Sequence, residues 1–235
     1  MPNRPKIYCA CDVPDLHSAL NLAQQMDGLP IGIKLGLEFF MGEGLNGVAT
    51  IRRKHPDTSI FLDLKFHDIP NTVASALRVI SDIGVDYTNL HASGGLEMMQ
   101  RALDAVNSVP NPARLLAVTV LTALDDDALG AVGQQVPVAD QVARLALLTQ
   151  QAGLAGVVCS AHEILPLRAA CGNDFILMTP GIRPEGSAND DQKRVMTPRD
   201  ALLAGTTHMV IGRPITQSDN PRQAAEDILE SILNA

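Results

Sequence analysis

The sequence contains no tryptophan, only two tyrosines and five phenylalanines among 235 residues. Binding sites for unpaired nucleic-acid bases rely on aromatic rings as stacking platforms, so this shortage argues against that class. An excess of positive charge is missing too: 18 Lys and Arg against 26 Asp and Glu give a formal net charge of −8 at pH 7. Nucleic acids and anionic membranes attract basic patches, and neither is an expected partner. No apolar run approaches the roughly 18 residues that span a bilayer. The N-terminus, MPNRPKIYCACD, lacks the long apolar region of a signal peptide. Four cysteines in a chain of this size do not make a disulfide framework. Cys9 and Cys11 share one face of a strand while Cys159 and Cys171 lie far away in sequence. Buried, reduced thiols without a metal are the expectation. The chain reads as a soluble, cytoplasmic protein.

What is present is alternation. Short β-rich runs recur as KIYCACD (6–12), IGIKLG (31–36), SIFLDLK (59–65), YTNLHA (87–92), RLLAVTVLT (114–122), GVVCS (156–160), FILMTPG (175–181) and HMVIGR (208–213). Between them, apolar residues recur at three- and four-residue spacing, the mark of amphipathic helices. Leu16, Ala19, Leu20 and Ala23 make one stripe; Val73, Ala76, Leu77 and Ile80 a second; Val142, Leu145, Ala146 and Thr149 a third. Asp15, after Pro14, is placed to cap the first helix. Strands separated by helices are normally parallel, and eight such units predict a closed (β/α)8 barrel, a TIM barrel, over 1–235 as one domain. A doubly wound open sheet competes, but no G-x-G-x-x-G turn follows Asp12.

Active sites of such barrels lie at the C-terminal ends of the strands. Here those ends carry Asp12, Lys34, Asp63 with Lys65, His91, Thr122, Ser160, Thr179 with Arg183, and Gly212 with Arg213. Chains turn at strand ends, which accounts for Ser160 or Thr179 but poorly for Lys34 and Lys65. Alternation in FLDLKFHDIPNT (61–72) puts Phe61, Asp63 and Lys65 on one face and Ile60, Leu62 and Leu64 on the other. The aliphatic face should meet the helices, so Asp63 and Lys65 should point inward near the mouth, as should Lys34 on its own strand. Buried charge is costly unless paired, and these three groups can neutralise one another. A structural ion pair and a reactive site both fit at this point.

The last strand ends in IGRPIT, where Gly212 permits close approach and Arg213 brings a fixed positive charge. Barrels often bind phosphate after strands seven and eight, and Arg183 in TPGIRP ends the seventh strand. GIRPEGSANDDQKRVMTP (181–198) is long and polar, as lids are, with Gln192 a candidate to close on a ligand. The acidic DDDALGAVGQQVP (125–137) reads as a solvated helix start rather than a metal site. His67 and His91 lie near the candidate site.

Together FLDLKFHDIPNT, NLHASGG, VTVLT, GVVCSAHE, TPGIRP and MVIGRPIT occur in an order and approximate spacing that resembles the bacterial orotidine 5′-phosphate decarboxylase family, over nearly the whole chain. The resemblance implies a dimeric barrel that converts orotidine monophosphate to UMP and CO2 without metal or organic cofactor. It maps the family's D-x-K-x-x-D signature onto Asp63, Lys65 and Asp68, with Lys34 completing an alternating charged array. Lys65 is then the general acid that protonates C6 of the pyrimidine. Asp63 stands beside the substrate carboxylate, and Asp68 reaches into the partner subunit's site. By the same resemblance Asp12 and Lys34 contact ribose hydroxyls together with Thr72 of the neighbouring subunit. Thr122 meets the pyrimidine, and Arg183, Gln192, Gly212 and Arg213 hold the phosphate and lid. Two departures stand out. Residues 10–12 read ACD where the family commonly has ALD, and Asp190 precedes Asp191 where relatives often have Gly. Two rivals remain at this point: an Mg2+-dependent sugar-phosphate decarboxylase or aldolase of the same superfamily, and a non-catalytic phosphometabolite-binding barrel. The continuation Ile69-Pro70-Asn71-Thr72 favours the nucleotide decarboxylase over the first, and the intact charge array argues against the second.

Overall fold

In a computed structural model, which describes residues 6–185 and 196–233, the predicted alternation closes on itself. Among the described residues the strands are β1 (Ile7–Cys11), β2 (Ile31–Leu35), β3 (Ile60–Phe66), β4 (Tyr87–His91), β5 (Arg114–Val118), β6 (Gly156–Val158), β7 (Ile176–Thr179) and β8 (His208–Ile211). All neighbours are parallel, in sequence order, and β8 pairs back onto β1. The helices are α1 (Leu16–Met26), α2 (Leu37–Lys54), α3 (Pro70–Ser81), α4 (Leu96–Val106), α5 (Asp126–Ala131), α6 (Val138–Gln151), α7 (Ile164–Cys171), α8 (Pro198–Ala204), α9 (Arg213–Thr216) and α10 (Pro221–Leu233).

Each strand divides its side chains between two environments. Ile7, Cys9 and Cys11 of β1, Ile31, Ile33 and Leu35 of β2, and Ile60, Leu62 and Leu64 of β3 join the large core shared with the helices. The four cysteines are buried and free, and burial pushes the Cys11 thiol up to about 12, so these thiols act as small apolar side chains. Helix α3 shows how a face is chosen. Val73, Leu77 and Ile80 are buried as their spacing predicts, but Ala74 completes the face where Ala76 was expected. Truncating Leu77, which has no exposed surface, would cost about 2–5 kcal/mol. Asp15 caps α1, its Oδ1 accepting from the Ser18 amide at 2.9 Å. Asp125 does the same for α5, accepting from the Ala128 amide at 3.0 Å, and Asp126 accepts from the amide of Val138, the first residue of α6, at 2.7 Å.

A second, smaller cluster lies inside the barrel and includes Tyr8, Phe61, Tyr87, Leu116 and Met178. Both tyrosines of the chain are here, at the N-terminal ends of their strands, with no exposed surface. Tyr8 meets Phe61 and Tyr87 edge-on, with ring centroids 6.1 and 5.8 Å apart, the geometry that aromatic quadrupoles favour. Their hydroxyls are satisfied, Tyr8 by Ser59 at 2.8 Å and Tyr87 by His208 at 3.2 Å. Gly32 makes this plug possible, because a Cβ there would run into the Tyr8 ring and sit 2.8 Å from the Ser59 carbonyl.

Strand five is shorter than its sequence run. It ends at Val118, so Thr122 lies beyond the strand in the following loop. The larger departure is in β3. Leu62 pairs with Thr88 but Phe66 pairs with Leu90, so β3 spends four residues where β4 spends two. Within that bulge Lys65 adopts a φ of 51°, alone among the described non-glycine residues in having a positive value. Bulges re-aim side chains next to functional sites.

Candidate active site

At the C-terminal ends of the strands the barrel opens into a cavity of about 530 Å3. Asp12, Lys34, Asp63, Lys65, Thr122, Arg183, Gly212 and Arg213 line it, as the sequence led one to expect. Asp68 and Thr72 do not. Both are exposed, and the Asp68 carboxylate turns back to accept from the Ile69 amide at 2.6 Å. Gln192 and Asp190 lie outside the described residues.

The charged groups form a continuous alternating chain. Lys34 Nζ donates to Asp12 Oδ1 at 2.8 Å and stands 3.7 Å from Asp63 Oδ2. Lys65 Nζ donates to Asp63 Oδ1 at 2.6 Å. Lys34 and Asp63 are buried at 8% and 9% exposure, whereas the Asp12 side chain is 59% exposed. Burial alone would push the Asp63 carboxyl up, but Lys34, Lys65 and the hydrogen bonds from Lys65 and Asn89 outweigh it and hold it below the usual carboxylate value. Burial likewise opposes the charge of Lys34, and Asp63 followed by Asp12 raises it above the usual lysine value. The charge of Asp63 is felt more strongly than that of the nearer Asp12, whose side chain is open to solvent screening.

The expectation that Asp63 and Lys65 meet is correct, but simple pleating does not bring them together. Lys65 sits in the left-handed region, where alternation no longer dictates direction, and the bulge delivers its ammonium to Asp63. Sequence reasoning overlooked Asn89. It is wholly buried, its Nδ2 donates to Asp63 Oδ1 at 2.7 Å, and its Oδ1 accepts from the Lys65 backbone amide at 2.8 Å. A signal was present. Tyr87, Asn89 and His91 share one face of β4, and Asn is disfavoured in strands unless its amide has partners.

Beside this array the His67 and His91 rings lie 5.4 Å apart at a tilt of 38°. Burial, then the proximity of His67 and Lys65, pushes His91 below the usual histidine value. On the other side of the mouth Arg183 is buried at 7% exposure, with Nη1 donating to the Ile182 carbonyl at 3.0 Å, and Arg213 begins α9 directly after Gly212. The cavity thus has a carboxylate–ammonium wall and an arginine-bearing wall. The first can stabilise developing negative charge and deliver a proton, and the second can hold an anion.

A closed parallel barrel with this mouth defines a class: a (β/α)8 enzyme with an acid–base site at the C-terminal ends of its strands. Comparison with known proteins narrows it. Residues 5–228 match the model of the Orotidine 5′-phosphate decarboxylase / HUMPS family. A protein named orotidine 5′-phosphate decarboxylase from Idiomarina loihiensis is 50% identical over 228 residues, 97% of this chain and 98% of that one. One of the same name from Dichelobacter nodosus is 48% identical over 230 residues, 98% of this chain and all of its own length. The crystal structure of orotidine 5′-phosphate decarboxylase from Lactobacillus acidophilus superposes with a TM-score of 0.87 at 34% identity, covering 99% of this chain and 100% of that one. The chain belongs to the orotidine 5′-phosphate decarboxylase / HUMPS family.

Proposed function

We propose that this chain converts orotidine 5′-monophosphate to UMP and CO2, the decarboxylation that completes UMP synthesis, with Lys65 as the proton donor and no metal or organic cofactor. The observation that carries the reading is the array Asp12–Lys34–Asp63–Lys65, closed by the 2.6 Å contact between Lys65 Nζ and Asp63 Oδ1. Breaking the bond between C6 and the carboxylate leaves an electron pair on C6. An ammonium held in place before the bond breaks stabilises that charge without reorganisation. Lys65 then gives its proton to C6, CO2 departs, and the amine regains a proton from solvent. Asp63 lies beside the position of the reacting carboxylate and orients Lys65.

Remaining contacts divide by chemistry. Asp12 and Lys34 face the ribose hydroxyls, and Thr122 faces the pyrimidine. Arg183, Arg213 and Gln192 hold the phosphate, and Gly212 leaves room for it. Phosphate binding remote from C6 supplies binding energy for the chemical step. Asp68 and Thr72 act in the site of the second subunit of a homodimer. Their exposure supports this, as does Ile69 between them, an apolar side chain left 67% exposed in the single chain. The reading places the enzyme in the cytoplasm, acting on a free small molecule. Among the described residues no helix is long and apolar enough to cross a membrane.

The test is direct. Purified protein is incubated with orotidine 5′-monophosphate in EDTA, substrate absorbance is followed and UMP is identified by chromatography. Wild type should turn over, and Lys65→Ala should lose at least about 10⁴-fold in kcat, the upper range for a general acid. A folded wild type that releases no UMP, or needs Mg2+ to do so, would overturn the reading.

A further inference from the structure

Asn89 stands at the one place where the β3–β4 ladder loses its register. Between the pairs Leu62–Thr88 and Phe66–Leu90 the backbone of β3 bulges, and the Lys65 amide finds its acceptor in the Asn89 side chain at 2.8 Å. A side chain of β4 thereby replaces the carbonyl that a regular ladder would supply. The same amide group donates to Asp63 Oδ1 at 2.7 Å. Its orientation is fixed by its partners, since an N–H can face only the amide oxygen and a carboxylate only the NH2. Asn89 is wholly buried and does not line the cavity.

We infer that Asn89 is a positioning residue of the decarboxylation site, fixing Asp63 and the left-handed Lys65 relative to each other through the two ends of one amide. The inference rests on the proposed function. Side-chain chemistry explains the choice of residue. Aspartate keeps the acceptor for Lys65 but loses the donor and sets a second carboxylate against Asp63. Alanine loses both bonds. With the clamp gone, the Asp63 carboxylate can rotate and the Lys65 backbone can leave its strained conformation, so the ammonium no longer waits at C6. Affinity for the nucleotide should survive, because Arg183 and Arg213 are on the opposite wall.

Two substitutions test this, with circular dichroism and melting temperature as controls for folding. In Asn89→Ala, kcat should fall about 100-fold, the loss expected of a small misplacement, with KM changed less than about threefold. Asn89→Asp should lose a similar amount at neutral pH. As pH is lowered, the introduced carboxyl takes up a proton and can donate to Asp63 as the amide does. Burial and the neighbouring Asp63 raise its pKa, while Lys65, Lys34 beyond Asp63, and His91 on the same face of β4 oppose this; Leu116, its neighbour on β5, is apolar. Measured relative to wild type at each pH, Asn89→Asp should therefore recover at least about tenfold on the acid side, and Asn89→Ala should not.

Independently of turnover, the Lys65 amide proton should exchange with solvent faster in Asn89→Ala than in wild type, while amides of the barrel floor are unchanged. Folded variants with kcat within about threefold of wild type, or equal losses with no recovery in acid, would overturn the inference. Failure of both variants to fold would also overturn it, since Asn89 would then serve the barrel. A wild type without turnover indicts the functional reading instead, and amide exchange then decides the clamp.

Discussion

At the floor of the barrel Tyr8, Phe61, Tyr87 and His208 fill the axis edge to face, every polar tip satisfied by another part of the fold. A few residues further along, β3 and β4 present Asp63, Lys65 and Asn89, with Lys34 on neighbouring β2 and Asp12 just beyond β1, and the partners there are charges. The floor relies mainly on area and shape, with His208 its one titratable imidazole among those rings. The mouth relies on a chain of charges that an apolar packing of equal volume would match or exceed in stability. One short strand such as β3 serves both ends, Phe61 in the plug and Lys65 in the array. Changes at the floor should move stability and leave chemistry alone, and changes at the mouth should move chemistry first, with an effect on stability that depends on pH.

The largest effect expected from breaking this division lies at the mouth. On the proposed shared-site homodimer, Lys65→Ala and Asp68→Ala proteins should each be almost inactive while keeping the wild-type fold. After subunit exchange an equal mixture should regain about one quarter of wild-type activity, because half the dimers are mixed and each mixed dimer restores one of two sites. Mixed dimers demonstrated by mass spectrometry but still inactive would place Asp68 outside the neighbouring site. At the floor, Tyr8→Ala should cost about 3–5 kcal/mol in chemical denaturation, as truncating a buried aromatic does. Its kcat and KM at a temperature where it is folded should match wild type; a fall in kcat as large as that of Lys65→Ala would dissolve the distinction between the two ends.

The smallest effect is in pH. Asp63 is held below the usual carboxylate value of 3.8, first against burial and then by Lys34 and Lys65. A group lowered in the folded state contributes stability that is present above 3.8 and is lost as pH falls through its folded value. Lys34 is raised above 10.5, so its contribution is present below that and is lost as pH rises through its folded value. Denaturation midpoints of wild type should therefore fall more steeply in acid than those of Asp63→Asn. Tyr8→Ala should keep the wild-type slope from a lower starting point. Parallel curves for wild type and Asp63→Asn would show that the charge array does not couple folding to protons.

The alternation of eight apolar runs with helical stripes made the barrel legible because its core is built from repeated local patterns. The inward direction of Lys34 and Asp63 followed from pleating, and the cavity lining at Arg183, Gly212 and Arg213 from their places after β7 and β8. Three things were missed. Strand five stops at Val118 although Val120 and Leu121 follow Thr119 in the run, because pairing with β6 ends at Val158. The bulge in β3 depends on how two distant strands register, which no local period encodes. Asn89 looked like an ordinary strand residue until both ends of its amide had partners. The placement of Asp68 and Thr72 in a neighbouring site rests on the resemblance, since their exposure in one chain supports it without supplying the partner.

The left-handed backbone at Lys65 has a consequence for how this enzyme could change over generations. A lysine with φ of 51° occupies a conformation that glycine adopts freely and other residues adopt at a cost of order 1 kcal/mol. The ammonium that pairs with Asp63 is therefore attached at a point where the backbone alone would favour glycine. Backbone strain alone would tend to erode this position, and the pairing with buried Asp63 works against that. In a lineage that obtains its pyrimidines from its surroundings, Lys65→Gly would relieve the backbone while leaving buried Asp63 with Lys34 as its remaining cationic partner, so strain and charge pull the position in opposite directions.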